Sequence, residues 1–371
     1  MTHYRIEHID DVLPHVEGRT DFVVAHKDGY SVIDYVYTTD DTFAHPARIE
    51  CRGLKFAPDG SILARPLHKF FNLGERPETA SAAVDFSAPH TIMDKLDGSM
   101  IHPAIVNGEV VFMTRMGRTD VARRAERHLT KRVSTSCRGM LEDGVTPIFE
   151  WTAPDNRIVV RYEESQLTLL ALRDNRTGYH WTQDWVRKAA RDMGLPAVRH
   201  HVPRHTDATS FLAYARAIQG AEGFVVRFDS GLWVKAKGED YVLKHKAKDG
   251  IGLEKNLLAL VMAGGLDDVL PLLDEADAAA ARQYAQDVDV GSATTAAALK
   301  RLVASNDNLS QKEFALSVVP TLKPELRSVA FMVRRGMDAR EVIRARIAAN
   351  TSSQAAVDEN RILHGATWKS A

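Results

Sequence analysis

Residues 93–114 read MDKLDGSMIHPAIVNGEVVFMT, and this stretch decides the fold. Its second half holds two β-rich runs, Met100 to Val106 and Val110 to Thr114, around Asn107-Gly108. Asn-Gly tolerates positive φ at both central turn positions, so the pattern predicts a tight antiparallel hairpin. Three more pairs follow the same rule. Phe22 to Ala25 and Ser31 to Tyr37 flank Lys27-Asp28-Gly29, and Gly53 to Ala57 and Ser61 to Arg65 flank Asp59-Gly60. Phe224 to Phe228 and Leu232 to Lys237 flank Asp229-Ser230-Gly231. Helical stretches interrupt them at Asp120 to Arg132 and Asp184 to Asp192. Hairpins with interspersed helices predict antiparallel sheets in an α+β domain.

Beyond Asp249-Gly250 alanine and leucine dominate, and Ala276 to Asp287, Thr294 to Val303 and Ala339 to Ala349 read as helices. Asp338 suits an N-cap for the last of these. The expected organisation is a catalytic domain over residues 1–248 and an all-helical domain over residues 249–371.

The composition bounds the function. The chain has 371 residues, 44% hydrophobic and 26% charged, with a formal net charge of -1. No global basic field announces a nucleic-acid partner, so any such partner must meet a local patch. Two cysteines, Cys51 and Cys137, make no disulfide framework and suit a reducing compartment. No apolar run approaches the ~20 residues of a membrane helix. The start, Met1 to Arg5, carries no apolar segment of a signal peptide. A cytoplasmic protein without a membrane partner is expected.

The first half of the opening stretch carries chemistry. Lys95 stands beside Asp97-Gly98, and on its own this is equally a lysine next to a turn. A free lysine has a pKa near ~10.4 and is not nucleophilic at neutral pH, so it needs desolvation or neighbouring cations. Trp233-Val234-Lys235-Ala236-Lys237 supplies them, because side chains two apart in a strand share a face. That pair suits a polyphosphate, or a solvated strand face. Glu222 opens the apolar run Gly223 to Val226, where a carboxylate could hold a divalent cation or be a loop charge. Glu150 lies within Ile148-Phe149-Glu150-Trp151, where a carboxylate requires a partner, a ribose hydroxyl or a salt bridge. Arg52 and Lys69 add cations upstream.

The ordered set resembles the covalent nucleotidyltransferases: DNA ligases, RNA ligases and mRNA capping enzymes. Lys95 to Ser99 looks like the nucleotide-attachment motif, Phe149-Glu150-Trp151 like the ribose motif, and Glu222 to Arg227 and Trp233 to Lys237 like the last two motifs. Glu50 to Phe56 and Ala64 to Asn72 narrow the resemblance to the phage-type RNA ligase 1 family. The resemblance covers about residues 45 to 246. It implies ATP and Mg2+ (or Mn2+) as cofactors. Lys95 is then the AMP-bearing nucleophile, Lys235 and Lys237 act on the α-phosphate, and Glu222 organises the metal. Arg52 and Lys69 would hold other phosphates, Arg115 would meet phosphate from the following hairpin, and Glu150 would fix the ribose. Val225 would cover an adenine face or serve as core. The implied partner is RNA with 5′-phosphate and 3′-hydroxyl ends, such as a nicked tRNA, handled by a monomer in the cytoplasm, the host's if the protein is phage-encoded. The helical domain would choose the substrate, with Arg334-Arg335 and Arg340 with Arg344 as local phosphate contacts. A DNA ligase or capping enzyme would usually append a small β-barrel after the last lysine motif, where this chain turns helical. A non-catalytic RNA-binding scaffold would be expected to lose Lys95 or Lys235.

Overall fold

The computed structural model describes residues 4–369, so the Met1 to His3 part of the N-terminal reading lies outside it. The strands in chain order are β1 (Phe22–Lys27), β2 (Tyr30–Tyr35), β3 (Arg52–Phe56), β4 (Ile62–Ala64), β5 (Phe71–Asn72), β6 (His90–Lys95) and β7 (Ser99–Val106). They continue as β8 (Glu109–Met113), β9 (Val145–Thr152), β10 (Gln166–Asp174), β11 (His200–His201), β12 (Gly223–Phe228) and β13 (Trp233–Lys237). Three sheets result, ordered β1-β2-β3-β4, β10-β9-β7-β8 and β11-β6-β12-β13-β5. Each of the four hairpins expected from Gly-containing turns forms. The pairing is antiparallel except for β13 with β5, which is parallel. In the Asn107-Gly108 turn both residues have positive φ, as a two-residue hairpin requires.

The sheets are covered as their apolar faces dictate. Helices Lys131–Glu142 and Gln183–Met193 bury Val133, Cys137, Val186 and Met193 with Ile101, Phe112, Phe149 and Trp151 of the middle sheet. Helix Ala208–Arg216 packs Phe211 and Ala215 against Phe224 and Val226 of the third sheet. The stretch expected as one helix from Asp120 to Arg132 is two, Asp120–Glu126 and Lys131–Glu142. Thr130 explains the break, since its hydroxyl accepts from the Val133 amide and caps a new helix.

The chain divides into two compact units, one ending at Val242 and the next beginning at Leu243. The expected boundary at residue 248 falls inside helix Glu239–Gly252. The second unit is helical and has its own core, including Leu257, Tyr284, Val288, Phe314, Val329 and Ile343. The two helices expected at Ala276 to Asp287 and Thr294 to Val303 are one, Glu275–Ala304. Gly291 is not a break there. A Cβ on it would lie 1.7 Å from the His364 carbonyl oxygen, so the glycine admits a close chain crossing. Helix Ala339–Ala349 forms as expected, with Asp338 accepting from the Arg340 and Glu341 amides. Arg340 and Arg344 both engage Asp289, and Arg334 donates to the carbonyls of Asn306 and Leu309. These arginines are therefore occupied within the unit. Among the described residues no helix is long and apolar enough to cross a membrane.

The first sheet is tied to the second by a buried charge cluster. Glu50 accepts from Arg65 at 2.9 Å and Arg173 at 2.8 Å, and both guanidiniums are fully buried. Burial raises the Glu50 carboxyl, yet Arg173 and Arg65 hold it down at about 2. Removing one partner of a buried pair leaves uncompensated charge and costs about 3–5 kcal/mol. Glu50→Gln, nearly isosteric, is therefore expected to lower unfolding free energy by that amount in urea titration. A loss below about 1 kcal/mol, the range of an exposed pair, would contradict this role.

Candidate active site

The third sheet places the two lysine motifs by register. Lys95 pairs with Gly223, and Gly223 pairs with Lys237, so the two lysines flank a residue without a side chain. The next row on the same face is Met93, Val225 and Lys235. A side chain at Gly223 is excluded twice: its φ is +143, and a Cβ would stand 2.1 Å from the Ala236 carbonyl oxygen. The preceding residue, Glu222, is 4% exposed and brings one carboxylate oxygen to Lys95 Nζ at 2.8 Å and to Lys237 Nζ at 2.9 Å. The nucleophile candidate and a motif lysine thus share one buried counter-ion.

Among the described residues, Lys235 has no such carboxylate partner. Burial, then the charges of Lys69 and Lys95, push it down to about 8. Its ammonium lies 5.8 Å from the centre of the Phe70 ring. Lys69 sits over three aromatic rings, Tyr35, Phe43 and Phe71, at 5.1 to 5.5 Å. Such faces attract a cation without neutralising it, so its charge stays available to an anion.

Glu150 lies in β9 opposite Met100 of β7 and accepts from the Gly98 amide at 3.2 Å. Burial pushes its carboxyl up to about 8, with Glu222 adding to the rise and Lys95 and Arg52 opposing it. An acid inside an apolar strand needs a partner, and the Gly98 amide is one. Arg52 is itself lowered by burial and reaches the Leu67 carbonyl at 3.4 Å.

Asp97 is the residue the sequence reading undervalued. It is 1% exposed. Its carboxylate accepts from the amides of Val159 and Val160, both at 2.7 Å, and from the Tyr241 hydroxyl at 2.6 Å. Its own amide donates to the Tyr162 hydroxyl at 3.0 Å. Asp97 thus fixes the turn after Lys95 to the loop following β9 and to the helix following β13. Tyr241 also offers its ring to the Lys237 ammonium at 5.0 Å. Gly98 next to it is obligatory for packing, since a Cβ would approach the Trp151 carbonyl oxygen to 2.3 Å.

An open cleft of about 740 Å3, part of it open to solvent, lies at this site. Arg52, Lys95, Glu150 and Val225 line it, and Met93, Leu170, Val198 and Trp233 form the apolar side. That apolar wall was missed because its residues come from four separated segments, each reading as ordinary core. Asp94, also in the lining, is held by His201 at 2.5 Å. Arg115 is placed elsewhere. It grips both oxygens of Asp34, donates to the Tyr35 carbonyl at 3.1 Å and lies 4.2 Å from the centre of the Tyr35 ring. It shares that ring with Lys69, so its contact with the site runs through Tyr35.

Glu222 and Glu150, the two buried carboxyls of the site, offer oxygens of the kind a hard cation takes. Among the described residues no group of three or more His, Cys, Asp or Glu side chains could hold a metal alone. Phosphate oxygens and water would have to complete its shell.

The RNA ligase family of the T4 ligase 1 type matches residues 50–250, and the chain belongs to that family. It is 33% identical over 248 residues to a Thermovibrio ammonificans protein named as a candidate RNA ligase, covering 64% of each chain. It thus spans less than two thirds of that relative's length. It is 30% identical over 298 residues to RNA ligase 1 of bacteriophage TS2126, covering 74% of this chain and 73% of that one. Among solved structures, an archaeal ATP-dependent RNA ligase aligns at 18% identity and a TM-score of 0.49, covering 65% of this chain and 64% of that one.

The raised Glu150 carboxyl has a measurable consequence. In the folded protein it takes up its proton near pH 8, but near 4.5 when unfolded. Across that window the folded state binds more protons, so stability falls as pH rises. Melting curves of wild type and Glu150→Gln should therefore converge at low pH, with wild type losing ground through pH 8. Parallel pH profiles would contradict the assignment.

Proposed function

We propose that this protein is an ATP-dependent RNA ligase that joins 5′-phosphate and 3′-hydroxyl RNA ends through AMP bound covalently to Lys95. The observation carrying the reading is the convergence of Lys95 and Lys237 on buried Glu222, at a cleft with one charged and one apolar side. Membership of the RNA ligase family supports it.

Lys95 attacks the α-phosphorus of ATP, forming a P–N bond as pyrophosphate leaves. AMP then passes to the 5′-phosphate of an RNA end. A 3′-hydroxyl attacks that activated phosphate and AMP departs as the strand is sealed. Each step builds charge on phosphate oxygens, so positioned cations supply most of the catalysis. Lys235 and Lys237 flank the reacting row and serve the α-phosphate. Lys69 and Arg52 hold the other phosphates, and Arg115 keeps the Tyr35 ring beneath Lys69. Val225 and the apolar wall seat the adenine, and Glu150 holds the ribose. Mg2+ (or Mn2+) on Glu222, with Glu150 beside it, would add positive charge at the phosphates and take the carboxylate from the Lys95 ammonium. Asp97 and Tyr241 keep the Lys95 turn in register with Lys237. The finer reading is repair of a broken RNA, a nicked tRNA loop in the cytoplasm, by a monomer whose helical unit, beginning at Leu243, selects the substrate.

Incubation with ATP labelled at the α-phosphate should leave acid-labile label on the protein. Lys235→Ala and Lys237→Ala should each slow labelling by roughly 10²-fold or more, the typical cost of losing one positioned charge. Lys→Arg should rescue poorly, since a planar fork does not replace a compact ammonium. The labelled protein should pass AMP to a 5′-phosphorylated oligoribonucleotide and not to a 5′-hydroxyl one. Wild-type labelling in both alanine variants, or preference for an all-DNA nick, would overturn the reading.

A further inference from the structure

A second cleft, with about 1,020 Å3 of empty space, opens beside Lys69. Phe43, Pro46 and Phe71 wall it, and Phe43 and Phe71 are two of the three rings under the Lys69 ammonium. Phe71 and Asn72 form β5, paired to Val234 and Lys235. The cleft is thus joined through Lys69 and β5 to the motif lysines. Arg76 lines it with its guanidinium 5.0 Å from the centre of the Phe71 ring, and the carboxylates of Asp40 and Glu78 stand exposed at the rim. No step described so far uses this space.

The stereochemistry of the reaction gives it an occupant. In the first step pyrophosphate leaves the α-phosphorus on the side away from Lys95. In the second step a donor-phosphate oxygen bonds to that phosphorus, the P–N bond breaks, and the Lys95 nitrogen departs with a proton. The attacking and leaving groups lie roughly in line in each displacement. Because Lys95 is the fixed end of both lines, the donor phosphate enters where pyrophosphate left. Lys69, neighbour to Lys235, holds that position, and the nucleoside attached to the donor phosphate must continue beyond it.

We infer that the second cleft seats the 5′-terminal ribonucleoside of the donor RNA strand. This rests on the ligase reading above. The apolar walls cover the base, and Arg76 meets the following phosphate. The rim carboxylates accept from ribose hydroxyls, the group that separates RNA from DNA.

The test uses the full chain with Ala44→Trp, which fills the cleft from an exposed lining position, and separately Arg76→Ala. Self-adenylation with labelled ATP should stay within about twofold of wild type for both. The adenylated proteins are then chased, without ATP, with increasing 5′-phosphorylated oligoribonucleotide. The half-saturating RNA concentration should rise about tenfold or more. Fluorescence anisotropy of the same oligoribonucleotide reads donor affinity even if no AMP is transferred, so a failure of the ligase reading stays separate from a failure of the cleft. Wild-type donor affinity in both variants would overturn the inference. So would an equal loss of self-adenylation, which would make the cleft part of the ATP site.

Discussion

The cleft of the first unit depends on one buried carboxylate holding two ammonium groups. Glu222 stands at the start of β12, and the register puts Lys95 and Lys237 on either side of Gly223. A lone buried carboxylate would be expensive, and two adjacent lysines would repel each other. Together they are stable, and each fixes the other's direction. Other features of the site follow from keeping that trio aligned. Gly223 leaves the gap, Asp97 anchors the turn after Lys95, and Tyr241 supports Lys237 from below while bonded to Asp97.

Charge is also separated by use. Glu50 with Arg65 and Arg173 forms a closed, fully buried cluster that joins sheets. Lys55 is closed as well: it is fully buried, donates to the carbonyls of Gly53, Thr114 and Arg115, and is pushed by burial down to about 7. Its bonds shape the turn that carries Arg115. Lys69 and Lys235, by contrast, face aromatic rings, an arrangement that orients an ammonium and leaves its charge for a ligand. In the helical unit Arg334 is tied to backbone carbonyls, while Arg340 and Arg344 share the single carboxylate of Asp289 at the surface.

Much of this was legible in the sequence, for identifiable reasons. The four hairpins carried glycine-containing turns, whose positive φ is a local property. The alternation Lys235-Ala236-Lys237 placed both lysines on one face before any tertiary contact was known. What stayed hidden depended on distant segments meeting. Asp97 read as a turn residue because its acceptors, Val159, Val160 and Tyr241, lie far along the chain. The grip of Arg115 on Asp34 was hidden because nothing local shows Asp34 opposite it. The single helix Glu275–Ala304 read as two, with a gap from Val288 to Ala293 that holds Gly291, whose role is set by the approach of His364 and not by its neighbours in sequence.

The central claim is that Lys95, among the lysines gathered at this cleft, carries the nucleotide. Peptide mapping by mass spectrometry after incubation with ATP and Mg2+ tests it most directly, under conditions that preserve an acid-labile P–N bond. A single AMP adduct is expected, on Lys95, which disappears when RNA bearing a 5′-phosphate is added. An adduct on Lys235, Lys237 or Lys69, with Lys95 unmodified, would contradict it.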